Sequence, residues 1–242
     1  MFNILRKEIR GFLSTLIAYI VIVVFLTAVG LFLWVFPATN ILDYGIASLD
    51  GLFTLAPWVL IFLISAISMR TFAEERKSGT IETLSTHPVT DWQIILGKYL
   101  AGLILVCFAI LPTLLYYFTI YKLGSPVGNL DFGATLGSYL GLLFLGSCYL
   151  SIGIFSSVLT DNQIVSFILS TFLCFIAFAA FGEMSKFFDS GMVQYWVEWL
   201  GIDYHYESIS RGVLDTRDVL YFASFTALFL GLTKYVFERR TW

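Results

Sequence analysis

The side chains of this 242-residue chain that could do chemistry gather in one stretch, residues 70–93, RTFAEERKSGTIETLSTHPVTDWQ. It holds Arg70, Glu74, Glu75, Arg76, Lys77, Glu82 and Asp91, set between an apolar run ending at Met69 and another starting at Ile94. Charges of both signs on a short polar island suit ion pairing with another surface. They do not build an acid–base pair or a nucleophile. The rest of the chain lacks the parts for such chemistry too. The two histidines, His87 and His205, are too far apart in sequence to make a credible metal site, and His205 reads as a polar residue at an interface. The phosphate-cradling pattern G-x-x-x-x-G-K-S/T is missing, so the chain does not hold ATP by that route. Cys107, Cys148 and Cys174 all fall in apolar runs and read as small packing residues, not as a disulfide framework.

Local signals position the island. Gly79 is a poor helix-interior residue and a good stop, so the helix entering from the apolar side ends there. Thr80 can cap a short new helix over about 80–86, and Pro88 ends it by pushing His87 out of helical geometry. Thr90-Asp91-Trp92-Gln93 reads as a capping box, with Val89 and Ile94 at the hydrophobic staple positions. The island therefore spells helix, stop, short helix, stop, helix start.

Composition places these elements in a membrane. Hydrophobic residues make up 58% of the chain and charged residues 13%, where a soluble domain carries about 25% charged. Mean hydropathy is +0.85. Apolar stretches fall at 13–36, 52–72, 94–121, 133–159, 163–182 and 219–237, most of them with the ~20 residues that cross ~30 Å of hydrocarbon. The expected fold is an all-α integral membrane protein with six spans, arranged as one transmembrane domain over 1–242. The run 13–36 is about twice the length of a signal-peptide core, with no small-residue cleavage site after it, and reads as a retained span. Before it, Phe2, Leu5, Ile9 and Phe12 alternate with Arg6, Lys7, Glu8 and Arg10, the pattern of an amphipathic helix over 1–12 lying on a membrane surface.

Lysine and arginine set the orientation. With the N-terminus inside, ten lie on the inner side (Arg6, Lys7, Arg10, Arg70, Arg76, Lys77, Lys98, Lys234, Arg239, Arg240) and four outside (Lys122, Lys186, Arg211, Arg217). This expectation puts both termini and the segment 73–93 in the cytoplasm. The fourth stretch carries Gly133, Gly137 and Gly141 on one face, where another helix can approach closely. Residues 183–217 are expected to form a pair of short outer helices, re-entrant or interfacial, with Trp196, Trp199 and Tyr195 in the headgroup layer, a stop at Gly212 and a cap at Asp215.

No ionisable residue falls in the middle of any apolar stretch. That argues against a secondary transporter driven by an ion gradient and against a channel with a charged filter. If the chain moves anything, the energy must enter through the polar island.

The island and its flanks carry a resemblance. Phe72 through Leu84, with Glu74, Glu75, Gly79, Thr80 and Glu82 in place, followed by Pro88 and Leu96-Gly97-Lys98, resembles the ABC-2 permeases, the membrane subunits of type V ABC transporters. The segment from His205 to Phe222, including Glu207, Ser208, Arg211, Gly212, Asp215, Arg217 and Asp218, looks like a signature of permeases related to the gliding-motility transporter of Bacteroidetes. It also occurs in related permeases linked to nitrous-oxide reductase maturation.

The resemblance implies a permease of the bacterial inner membrane without catalytic residues of its own. Mg-ATP would be handled by a separate ATP-binding subunit, expected in two copies. It further implies a second permease, identical or different, and an auxiliary membrane protein with a large periplasmic domain, with lipid but not nucleic acid as surroundings. Coupling to the ATPase is implied for Glu74, Glu75, Gly79, Thr80, Glu82, Leu84 and Pro88, and for Arg6, Lys7 and Glu8 at a second contact. Substrate-contacting residues are not assigned. Two alternatives remain at this stage: a non-transporting scaffold that recruits a cytoplasmic partner, and an ABC-2 permease for lipid, polysaccharide or drug.

Overall fold

The computed structural model describes residues 2–37, 39–43, 45–80, 89–188 and 191–239. Among them there is no strand. The helices in order are α1 (Phe2–Leu13), α2 (Leu16–Trp34), α3 (Asp50–Ser68), α4 (Ala73–Lys77), α5 (Asp91–Ile110), α6 (Leu114–Leu123), α7 (Phe132–Leu159), α8 (Gln163–Phe175), α9 (Phe181–Ser185), α10 (Gly191–Trp199), α11 (Ile202–Ser210) and α12 (Thr216–Glu238). Among the described residues, five helical segments are long and apolar enough to cross a membrane. The pair Phe2–Leu13 and Ala18–Trp34, bent by 68°, makes a sixth if it is taken as one span.

The bundle is built around α7. At 28 residues it is ~42 Å long, and α3, α5, α8, α11 and α12 all pack on it. Its small residues explain why so many neighbours fit. A Cβ on Gly146 would lie 2.9 Å from Val106 of α5, and one on Gly153 would lie 2.0 Å from the Ser68 hydroxyl of α3. Serines then tie the contacts together. Ser157 Oγ accepts from the backbone N–H of Phe72 at 2.9 Å and of Ala73 at 3.1 Å, closing the turn after α3. Ser65 of α3 and Ser170 of α8 share a hydrogen bond of 2.8 Å, and Ser147 of α7 meets Thr226 of α12 at 3.0 Å.

Gly153→Ala should therefore lower stability by about 1–3 kcal/mol, because Ser68 Cβ at 2.6 Å cannot simply rotate aside. Gly231→Ala, with nothing within 4 Å, is the control that should be neutral or mildly stabilising. Unfolding midpoints of the two variants in detergent decide the matter.

Two of the apolar stretches are interrupted. The stretch 94–121 turns through a 3₁₀ segment, Leu111–Thr113, because Pro112 has no N–H to offer. The stretch 163–182 passes through a π-segment at Ile176–Ala180. Connectivity alternates the long helices between two ends. One end gathers α1, α4, the start of α5 and the last turns of α7 and α12, where Phe72 meets Phe237 at 5.2 Å between ring centres. The other gathers the starts of α3, α7 and α12 and the hairpin α10–α11, where the Tyr206 hydroxyl donates to the Phe53 carbonyl at 2.8 Å.

Candidate functional site

The α4 end contains a buried ion cluster centred on Lys98. In α5 the residues Ile94, Ile95, Lys98, Ala101, Gly102 and Leu105 lie on one buried face, at helical spacing. Lys98 is thus carried inward by its neighbours, and it is 1% exposed. A bare ammonium there would be costly, and it is not bare. Its Nζ donates to the Thr71 carbonyl at 2.7 Å and to Glu8 Oε1 at 2.9 Å. Glu75 Oε2 completes the shell as an ion contact at 2.9 Å. Nζ also stands over the Phe72 ring, 5.0 Å from its centre. On the far side of Glu75, Lys7 pairs with Oε1 at 2.9 Å.

The cluster draws on four places in the chain: Lys7 and Glu8 from α1, Thr71 from the turn after α3, Glu75 from α4 and Lys98 from α5. Burial alone would push the Glu75 carboxyl up, but Lys98 and then Lys7 outweigh it and hold the group below the ordinary carboxylate range. Beside the cluster, Arg70 makes a two-pronged pair with Glu74, at 2.7 and 2.9 Å. Arg76 reaches the Val158 carbonyl of α7 at 2.7 Å. A groove of about 460 Å³ runs along this face between α1 and α4, with Lys7, Glu8, Glu74, Glu75 and Thr80 in its walls.

The remaining island residues sort as follows. Gly79 has φ +70°, the left-handed region that favours glycine, and it ends the α4 segment. Thr80 is exposed and its hydroxyl meets that of Ser78 at 2.9 Å. Arg6 is exposed and stands outside the ion cluster. Thr90 and Gln93 form the capping box that starts α5. Glu82, Leu84, Pro88 and His87, and with them the short helix expected over 80–86, lie outside the described residues. Lys98 entered the sequence reading only within the motif Leu96-Gly97-Lys98 and as an inner-side charge, with no role of its own. Its signal was its place three and four positions after Ile95 and Ile94, on the face that continues through Ala101 and Leu105.

At the hairpin end, the residues from His205 to Asp218 divide by role. His205 is 1% exposed, not a polar group at the interface. It is drawn in because Ile202, Tyr206 and Ile209 bury the same side of α11. There it pairs with Asp218 at 2.7 Å. Gly212 has φ +84° and lies against Ala134 and Gly137 of α7. Gly141 receives Ile209, while a Cβ on Gly133 would meet only the side chain of Asp131, which caps α7. Asp215 caps α12 by accepting from the Arg217 N–H at 2.9 Å. Glu207 and Arg211 face each other on the surface at 3.7 Å; Ser208 is half-buried and Arg217 exposed.

An all-helical body with this many apolar crossings, and a charged face tied together at one end, is a multi-pass integral membrane protein. Residues 36–242 match the family described as ABC-2 family transporter protein, and the chain belongs to that family. A comparison with curated proteins finds no match. The chain is accordingly the membrane permease component of an ABC transporter, which partners an ABC ATP-binding subunit and is not itself the catalytic part.

Proposed function

We propose that the α4 end is where the ATP-binding subunits push, and that Lys98 spreads the push through the permease. The observation that carries this reading is the Lys98 ammonium, whose three oxygen partners sit on α1, on the turn after α3 and on α4. A force applied to the segment 80–93 reaches α5 through the capping box at Thr90. From α5 it reaches α1 and α4 through buried charges that cannot separate cheaply. The ends of α3, α7 and α12 meet the same place through Ser157, Arg76 and Phe72. Closure of two ATPases on Mg-ATP needs to supply only a bias of a few kcal/mol between two arrangements of such a bundle.

In this reading the α4 end faces the cytoplasm of a bacterium whose inner membrane the chain spans, in keeping with ten lysines and arginines against four. The hairpin end then faces the periplasm, where an auxiliary protein with a large periplasmic domain would sit. A second permease, identical or different, completes the complex. Export or mechanotransmission linked to gliding motility and associated secretion is the finer proposal, supported by the residues from His205 to Phe222.

The test is reconstitution with the ATP-binding subunit. Glu74→Lys places a cation beside Arg70, and Glu82→Lys reverses a charge on the island. Each should abolish the stimulation of ATP hydrolysis by the permease while the protein remains folded. Normal stimulation in both variants would remove the proposal. Recovery of a cytoplasmic partner with no nucleotide-binding motif would favour the scaffold reading instead.

A further inference from the structure

The buried histidine at the hairpin end has no part in the coupling just described. Both of its ring nitrogens meet acceptors. Nδ1 lies 2.7 Å from Asp218 Oδ1, and Nε2 lies 2.9 Å from the Trp199 carbonyl oxygen. A carbonyl oxygen only accepts, so Nε2 carries a proton. The contact at Nδ1 needs a second proton, on the ring or on the carboxyl, because two lone pairs at 2.7 Å repel. With that proton the pair is neutral as a unit. Without it, a net negative charge is left where His205 is 1% and Asp218 7% exposed, and the one remaining ring proton can serve only one of the two acceptors.

Three elements meet at this proton. Trp199 closes α10, His205 belongs to α11, and Asp218 and Tyr221 belong to α12. Tyr221 stacks on the imidazole at 3.8 Å between ring centres, and its hydroxyl donates to the Leu200 carbonyl at 2.7 Å. Losing the shared proton therefore weakens the attachment of the whole hairpin to the last long helix.

We propose that His205 and Asp218 form a proton-held clasp that fastens the hairpin α10–α11 to α12 and opens as the surrounding pH rises. The titratable groups around it are Asp218 and Tyr221 from α12, Glu198 from α10, Asp203 and Tyr204 from α11 itself, and Cys148 from α7 behind Tyr221. Opening is the loss of the shared proton. It therefore belongs to rising, not falling, pH.

The test uses the full chain in its complex, with spin labels on Met192→Cys of α10 and Leu220→Cys of α12, both exposed. Cys107→Ser removes the half-buried thiol, and Cys148 and Cys174 are buried. Pulsed electron resonance should read one narrow distance in mildly acidic buffer and a growing longer population as the pH is raised. Asp218→Asn puts an amide N–H where the shared proton was, aimed at Nδ1, so its distance should stay short at every pH. His205→Gln has no proton to lose and should be equally indifferent to pH. A wild-type distance that does not move with pH overturns the clasp. So does a wild-type pH response that survives in either variant. The readout is a distance, so it stands apart from what drives the permease and what it carries.

Discussion

Replacing Lys98 with methionine should cost the protein about 3–5 kcal/mol, the penalty for breaking a buried pair by removing one partner. The change is nearly isosteric, so little of the loss comes from packing. What remains is two carboxylates, Glu8 and Glu75, whose side chains are 12% and 13% exposed, with Lys7 the one cation left in the cluster. Thr71 also loses the donor to its carbonyl. Lys98→Arg keeps the charge but replaces a compact ammonium with a planar fork, and it should restore only part of the stability. The decisive variant removes all three charges at once, Lys98→Met with Glu8→Gln and Glu75→Gln. Without uncompensated charge it should recover most of the unfolding midpoint, yet it should still fail to stimulate the ATPase, because the tie between α1, α4 and α5 is gone. Recovery of both properties would mean that the cluster serves folding alone. An unchanged midpoint in Lys98→Met would mean that it does not serve folding.

The same cluster has a predicted dependence on pH. The Glu75 carboxyl is held below its ordinary range, so its contribution is fully present above the range of a free carboxylate. It is lost as the pH falls through the depressed value. Acid should therefore destabilise the wild type more than the triple variant, which has no Glu75 to protonate.

The second large effect is at Gly212. Its φ of +84° is a conformation that costs an L residue about 1–2 kcal/mol. Its surroundings add to that. A Cβ there would lie 2.3 Å from Ala134 Cα and 2.6 Å from the Ala134 carbonyl oxygen, backbone atoms that a side-chain rotation cannot move. Overpacking of this kind adds about 1–3 kcal/mol, so Gly212→Ala should lose about 2–5 kcal/mol in all. The hairpin must lift from α7 to make room, which also breaks the bond from the Ser138 hydroxyl to the Ser210 carbonyl at 2.7 Å. Gly137→Ala strikes the same contact from the other side, with its Cβ 2.8 Å from the Gly212 carbonyl oxygen. Once one substitution has parted the two backbones, the second meets open space. The double variant should cost clearly less than the sum of the singles. Additive losses would mean that the two glycines do not share one close approach.

Some of this was written locally and could be read without coordinates. The apolar stretches, the capping box at Thr90, the cap at Asp215 and the stop at Gly212 all depend on residues within a few positions of one another. A hydroxyl or carboxylate that satisfies an N–H two or three residues on needs nothing from the rest of the chain. The stripe of Gly137 and Gly141 announced a close approach for the same reason, since four-residue spacing puts both on one face of a helix. It did not announce the partner.

The tertiary structure alone decided which distant groups share a buried site. Lys98 counted as one more positive charge near a membrane surface until α1, 90 residues earlier, laid Glu8 against it. His205 read as an interfacial polar group until α12 brought Asp218 beneath it. Arg76 and Val158, 82 positions apart, met only because α4 folds back on α7. Local sequence states what a residue can donate or accept, since that is a property of its own atoms. Whether water or another side chain answers depends on which helices pack together, and that is settled by the whole chain at once.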